Sequence, residues 1–330
     1  MVRILNVEPE DYSAEARQIL QGMGELVEEV VPQERLADRV QGFDALIVRL
    51  HVRVTDEVLA AADRLRVVVT ATTGLDHIDL EAARKRGIEV ISLYGETEFL
   101  RTISATAEHT WALLLALVRQ IPWAFQDVGQ GNWDRDRFRG RDLRGKQLGI
   151  LGLGRLGQQV ARYGLTFGMQ VGAYDPFLNE WPAGVQRFET LESFLRWSEI
   201  LSIHLPLNQT THGFLDKARL QLLPEGARVV NTARGAVWDE QAVVELLDTG
   251  HLAGAASDVL AEEQPAERRE QCPLLAYARE HNNLLITPHI GGATIESMAM
   301  TEVFVARKLA KFLSNPVANK QLQTMRQVSV

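Results

Sequence analysis

Residues 146–157 read Lys-Gln-Leu-Gly-Ile-Leu-Gly-Leu-Gly-Arg-Leu-Gly. Leu148, Ile150 and Leu151 make the apolar run of a short buried strand, which passes into Gly152-x-Gly154-x-x-Gly157. Gln158 to Leu165 then reads as a helix, and a second apolar run, Met169 to Tyr174, ends in Asp175. A strand, a glycine turn, a helix and a second strand with a terminal acid together predict a βαβ unit of a parallel sheet.

Each piece of this unit suits a dinucleotide. Gly152 permits the tight turn out of the strand, Gly154 lets a pyrophosphate approach bare backbone, and Gly157 lets the helix pack closely on the sheet. The helix N-terminus offers unpaired N–H groups and partial positive charge to phosphate. Asp175 stands where a carboxylate accepts from the adenosine ribose hydroxyls. A 2′-phosphate about 4 Å from that carboxylate would be repelled by about 4 kcal/mol at an effective dielectric of about 20. The next residues, Pro176-Phe177-Leu178-Asn179, supply no cation. NAD(H) is therefore expected over NADP(H).

The 330 residues suffice for two domains with their own cores, and 46% hydrophobic with 24% charged residues is ordinary for a globular protein. A formal charge of -8 gives no basic footprint for nucleic acid, and the arginines from Arg135 to Arg144 alternate with Asp134, Asp136 and Asp142. The single Cys272 excludes an internal disulfide and a cysteine-rich metal site. The histidines lack metal spacing, so no metal is expected. The N-terminus is too short and polar in its apolar run for a signal peptide, and the longest strongly apolar stretch, Trp111 to Val118, is far short of a membrane span. The expected location is cytoplasmic.

The first hundred residues alternate short strands and helices. Strands are predicted at 3–7, 45–48, 67–71 and 88–92, with helices at 13–23, 56–62 and 80–86, and Ser13 as an N-cap. This segment has no phosphate-binding glycine turn and reads as a substrate domain. Residues 102–120 form a helix apolar nearly all round, which must be buried. Residues 121–145, with Trp123, Trp133 and Phe138, read as an irregular aromatic excursion suited to an oligomer contact, and a homodimer is expected. Further strands are predicted at 200–204, 227–231, 253–257 and 284–287, with helices at 191–197, 215–222, 239–249 and 295–313. In an open parallel sheet, ligands bind beyond the carboxyl ends of strands, and Asp175, Arg234, Asp258 and His289 all fall at such ends. Of the other histidines, His109 on its apolar helix reads as a core residue, and His204, before Leu205-Pro206, as lining the cofactor cleft.

The pieces TTGLDHIDLEAARKRGIEV, TAEHTWALLLAL, GKQLGILGLGRLGQQVA, YDP, HLPLNQTTHGFL, VVNTARGAVWDEQAVVELL, SDVLAEEQP and ITPHIGGAT stand in that order along nearly the whole chain. In order and spacing they resemble the D-2-hydroxyacid dehydrogenases, in particular the phosphoglycerate dehydrogenase and glyoxylate/hydroxypyruvate reductase branch. The resemblance implies an α/β protein of two Rossmann-like, doubly wound parallel-sheet domains with the active site in the cleft between them. Residues 1–101 with 291–330 would form the flavodoxin-like substrate-binding domain, and 102–290 the NAD-binding Rossmann domain.

The family's catalytic arginine, histidine and glutamate fall on Arg234, His289 and Glu263. The family usually has proline directly after that glutamate. Here Gln264 intervenes before Pro265, which makes Glu262 a rival for the role. Thr102 stands where the family tends to have asparagine. The resemblance implies cofactor contacts from the backbone of Arg155 and Leu156, from Thr106, His204, Pro206, Thr211, Thr232, Ala233, Arg234, His289 and Gly291, and from Asp258, which accepts from the nicotinamide carboxamide. It also implies that Thr73 and Gly74 present N–H groups to the substrate carboxylate, and that Arg49 and Arg53 reach toward a distal anionic group.

The chemistry asks for the same residue types. Reduction of a 2-keto acid needs a cation to grip the carboxylate and polarise the ketone, and Arg234 donates in a planar fork. It needs an acid that titrates near neutral pH, which His289 supplies. Glu263 would lie against the imidazole and favour its charged form. The expected activity is NAD-dependent interconversion of a 2-keto acid and a D-2-hydroxy acid. The alternative is an NAD(H)-sensing binding protein with little turnover, since the C-terminal-binding-protein corepressors resemble this family and their glycine turn is close to GLGRLGQQVA with YDPFL. The chain ends soon after its last expected helix, so the appended regulatory domain of some phosphoglycerate dehydrogenases is not expected.

Overall fold

A computed structural model describes residues 1–314, which form two compact units: Met1–Leu100 with the segment from Thr294 onward, and Arg101–Ala293. Residues 315–330, the end of the segment assigned above to the first domain, lie outside the described residues.

The first unit is a five-stranded parallel sheet of β1 (Val2–Asn6), β2 (Gly24–Glu28), β3 (Ala45–Val48), β4 (Val67–Thr70) and β5 (Glu89–Ile91), in the order β2-β1-β3-β4-β5. Every residue of β3 and β4 is buried, which is why these strands read as unbroken apolar runs rather than alternating ones. Ser13, Thr55 and Asp79 each accept a hydrogen bond from a first-turn N–H of the helix that follows, fixing where those helices begin. The helix Ile295–Ser314 packs on the helix Ala14–Gln21 and on β4 and β5, burying Val305, Ala306 and Leu309. Its Glu302, 1% exposed, accepts from Ser13 N–H at 2.6 Å and pairs with the Arg49 guanidinium. Burial raises the Glu302 carboxyl above its ordinary range, against the lowering effect of those partners. Glu8, two residues past β1, accepts from the N–H groups of Arg49, Leu50 and His51 and so holds the turn after β3.

The second unit is a seven-stranded parallel sheet: β6 (Gln147–Leu151), β7 (Gln170–Tyr174), β8 (Val185–Arg187), β9 (Ile200–Ile203), β10 (Ala227–Asn231), β11 (Leu252–Ser257) and β12 (Leu284–Ile286). The order is β12-β11-β10-β9-β6-β7-β8. The chain departs from β6 in both directions, so the carboxyl end of β6 is the topological switch point where such sheets bind ligands. The helix Ala105–Val118 belongs to this unit, packs on β10, β11 and β12, and buries Trp111, Leu113, Leu114, Leu117 and Val118 in the core that it shares with β6 and β7.

Several elements differ from the sequence reading. Residues 121–145 are not wholly irregular: Ile121–Gly129 is a helix and Arg135–Phe138 a 3-10 turn. Pro122 lies in the first turn, where its missing N–H costs nothing, so it starts this helix instead of breaking it. The helix expected over 215–222 shrinks to Lys217–Leu220 because Asp216 caps it two residues later than expected. The strands β2 and β8 and the helices Ala266–Glu270 and Pro273–Ala278 were not foreseen. Both strands are sheet edges with exposed charged residues, which blurs the alternation that marks a strand.

Candidate active site

The glycine turn sits at the carboxyl end of β6. Gly152 has φ +88, and a β-carbon there would lie 2.8 Å from the His204 carbonyl oxygen. At Gly157 it would lie 2.1 Å from the Gly152 carbonyl oxygen, so the helix Arg155–Thr166 can approach β6 this closely only without a side chain. At Gly154, by contrast, a β-carbon would meet nothing within 4 Å. The first in-helix bond is Gln158 N–H to Gly154 O at 2.9 Å, which leaves the preceding first-turn N–H groups without intrahelical acceptors. Asp175 follows β7 and is tied to the turn: its Oδ2 accepts from Leu153 N–H at 2.9 Å and its Oδ1 from Phe177 N–H at 3.0 Å. His204 donates or accepts at Ser202 Oγ, 2.8 Å from Nε2, while its Nδ1 is shut from solvent without a partner. The residue as a whole is only part-buried. Burial pushes the imidazole down to about 3, so it is neutral. Open space over Gly154, first-turn N–H groups, a held carboxylate and an orphaned ring nitrogen fit a dinucleotide.

Three segments at neighbouring strand ends assemble the second half of the site. Asp258 follows β11 and is 2% exposed. Its Oδ1 accepts from the Thr287 hydroxyl at 2.6 Å and from Ile290 N–H at 2.9 Å, and its Oδ2 from Gly291 N–H at 2.7 Å. His109 Nε2 lies 3.2 Å from Oδ1 and 2.9 Å from Thr287 Oγ1. Burial alone would raise the Asp258 carboxyl, but these hydrogen bonds outweigh it and hold the group below its ordinary range. Its main-chain oxygen accepts from His289 N–H at 2.9 Å. His289 itself is in the left-handed region, φ 56, which suits a residue turned out of a strand end. Its Nδ1 is 2.7 Å from Glu263 Oε2, and Glu263 Oε1 accepts from Leu260 N–H at 3.2 Å.

Of the two rival glutamates, Glu263 meets the imidazole, while Glu262 turns to Arg268 at 3.5 Å. The inserted Gln264 precedes Pro265 through a cis peptide bond. Asn231, the last residue of β10, shapes the next loop by accepting from Ala233 N–H at 3.0 Å and donating to Arg234 O at 3.0 Å. Arg234 Nη1 donates to Ala233 O at 2.8 Å. Thr232 Oγ1 lies 2.7 Å from Thr110 Oγ1, and Thr110 in turn donates to Thr106 O. Thr211 serves its own turn, donating to Pro206 O and accepting from Asn208 N–H at 2.8 Å.

The second unit thus brings together Gly152, Gly154, Gly157, Asp175 and His204 at one group of strand ends, and Asp258, Glu263 and His289 at another. Arg49, Thr73 and Gly74 belong to the first unit, where Arg49 is paired with Glu302. Sequence reasoning missed Thr287 and placed His109 only in the core. The one available signal was Thr287 standing at the end of a predicted strand beside Pro288-His289.

Comparison with known proteins agrees with this architecture. The family model described as D-isomer specific 2-hydroxyacid dehydrogenase, NAD binding domain, matches residues 111–291. The D-3-phosphoglycerate dehydrogenase of Methanocaldococcus jannaschii is 35% identical over 322 residues, covering 96% of this chain and 59% of that protein. The enzyme of the same name from Rattus norvegicus is 39% identical over 288 residues, covering 86% and 51% respectively. The chain spans about half the length of the curated relatives it matches. A crystal structure of D-lactate dehydrogenase from Aquifex aeolicus, complexed with NAD and lactic acid, aligns with TM-score 0.83 at 26% identity over 98% of both chains. The chain belongs to the D-isomer specific 2-hydroxyacid dehydrogenase family and carries its NAD binding domain. Among the described residues no helix is long and apolar enough to cross a membrane.

Proposed function

We propose that this chain interconverts a 2-keto acid and a D-2-hydroxy acid with NAD(H). The observation that carries the reading is the contact of Glu263 with His289 Nδ1, in a unit whose glycine turn fits a dinucleotide. When bound, NADH supplies the hydride. With Nδ1–H directed at Glu263, the neutral imidazole presents an Nε2 lone pair that can take the alcohol proton, and the protonated ring donates from the same atom to the ketone oxygen. Arg234 holds the carboxylate and polarises the carbonyl. Glycine-turn N–H groups hold the pyrophosphate, Asp175 the adenosine ribose, and Asp258 the carboxamide. Thr73 and Gly74 present N–H groups to the substrate carboxylate. Arg49, whose guanidinium already pairs with Glu302, is a weaker reader of a distal anion than the sequence suggests.

A substrate panel tests this: oxidation of NADH and NADPH by glyoxylate, hydroxypyruvate, pyruvate and phosphohydroxypyruvate. Turnover of about 1–10³ s⁻¹ on at least one acid is expected. Rates orders of magnitude lower on all four would favour the corepressor-like reading instead. NADH should be preferred over NADPH. Comparable kcat/KM with both would remove Asp175 from cofactor selection.

The homodimer is proposed from the segment after the helix Ala105–Val118. Phe125 is 78% and Trp133 89% exposed there, with Ile121 and Val128 also uncovered. Light scattering should give twice the chain mass, and Trp133→Glu with Phe125→Glu should shift it to the monomer. A monomeric wild type would refute the assignment.

A further inference from the structure

The carboxylate of Asp258 is held more elaborately than acceptance of one ligand N–H requires. Its partners come from two distant places in the chain. Ile290 and Gly291 donate from the backbone just past His289, Thr287 donates its hydroxyl, and the His109 ring nitrogen Nε2 stands 3.2 Å from Oδ1. The hydroxyl of Thr287 has a single hydrogen, and the 2.6 Å contact commits it to Asp258 Oδ1. Toward His109, then, Thr287 Oγ1 can only accept, so the proton on the His109 ring sits on Nε2. A directed chain results: His109 Nε2–H to Thr287 Oγ1–H to Asp258 Oδ1. The Thr287 hydroxyl and the Ile290 N–H together fill the two accepting directions of Oδ1, and His109 fixes the Thr287 hydroxyl in that orientation. Oδ2 receives only Gly291 N–H among the described residues, and so keeps one. Gly291 keeps that side open, because a β-carbon there would lie 2.9 Å from Oδ2 and 3.6 Å from His109 Cδ2.

We propose that His109 and Thr287 are positioning residues for the nicotinamide end of the cofactor: by saturating Asp258 Oδ1 they make Oδ2 the atom that accepts the carboxamide N–H. This rests on the reading above that Asp258 meets the carboxamide. The two residues touch neither cofactor nor substrate. They act through the orientation of one carboxylate, so their effect is confined to ligands that carry the carboxamide NH₂.

The test is a binding experiment and needs no turnover. Calorimetry on the full chain measures NAD⁺, its 3-acetylpyridine analogue, which lacks the NH₂ donor, and ADP-ribose, which lacks the ring. Wild type should bind NAD⁺ about tenfold more tightly than the acetylpyridine analogue, the worth of one hydrogen bond to a charged acceptor. Thr287→Val and His109→Phe should bring that ratio below about twofold. ADP-ribose affinity should not change, and Thr287→Ser should keep the wild-type ratio. Variants that retain the ratio with ADP-ribose binding intact overturn the inference. Variants that lose ADP-ribose binding as well also overturn it, since the residues would then support the fold alone. A wild type with no preference between the two dinucleotides fails earlier, at the contact between Asp258 and the carboxamide.

Discussion

His289→Ala should lower kcat by about 10²–10⁴, the usual worth of a positioned acid or base, while the dissociation constant for NADH stays within error of wild type. The separation follows from the geometry. Glu263 fixes the imidazole at Nδ1, the Asp258 main-chain oxygen accepts from the backbone N–H of His289, and neither partner belongs to the glycine turn around Gly152. Replacing the side chain leaves that backbone bond in place, so Ile290 and Gly291 still reach the Asp258 carboxylate. Steady-state kinetics with the best acid of the panel, beside a fluorescence titration of NADH, reads both quantities. Unchanged turnover removes His289 from the chemistry. Loss of NADH binding makes it a structural residue.

Arg234→Ala should reduce kcat/KM for the keto acid by about 10²–10³, the scale of losing one donor aimed at developing negative charge. Arg234→Lys should recover only part of this, because a point charge cannot reproduce a planar fork on a carboxylate. Asn231 sets the loop around Arg234 through main-chain atoms and the neighbouring Ala233 N–H. The loop should therefore survive either substitution, with thermal unfolding close to wild type. A substitution that leaves KM and kcat untouched would return Arg234 to a structural role at the end of β10.

How much of this could be read in advance follows from the range of each interaction. The glycine turn, the cap at Ser13 and the buried runs of β3 and β4 depend on residues a few positions apart, and all were legible. The helix Ile121–Gly129 was hidden by Pro122, because the sequence does not say whether a proline falls at the first turn or in the middle. The choice between Glu262 and Glu263 turned on a loop with an inserted Gln264, where counting residues is ambiguous and only direction in space decides. The convergence of His109 and Thr287 on Asp258 joins positions far apart in the chain. Nothing in the local pattern of TAEHT marks that histidine as anything but part of an apolar helix.

The last helix of the first unit imposes an order on how the chain is made. Glu302, Val305 and Leu309 complete a core and a charge cluster whose other members, Ser13, Arg49 and the helix Ala14–Gln21, leave the ribosome far earlier. The whole of Arg101–Ala293, a continuous stretch that holds all of its own core, is synthesised in between. At ordinary elongation rates that interval is roughly 10–40 s. For its duration the amino-terminal sheet waits without the helix that packs on β4 and β5, and the nucleotide-binding unit, begun later, is the first that can finish.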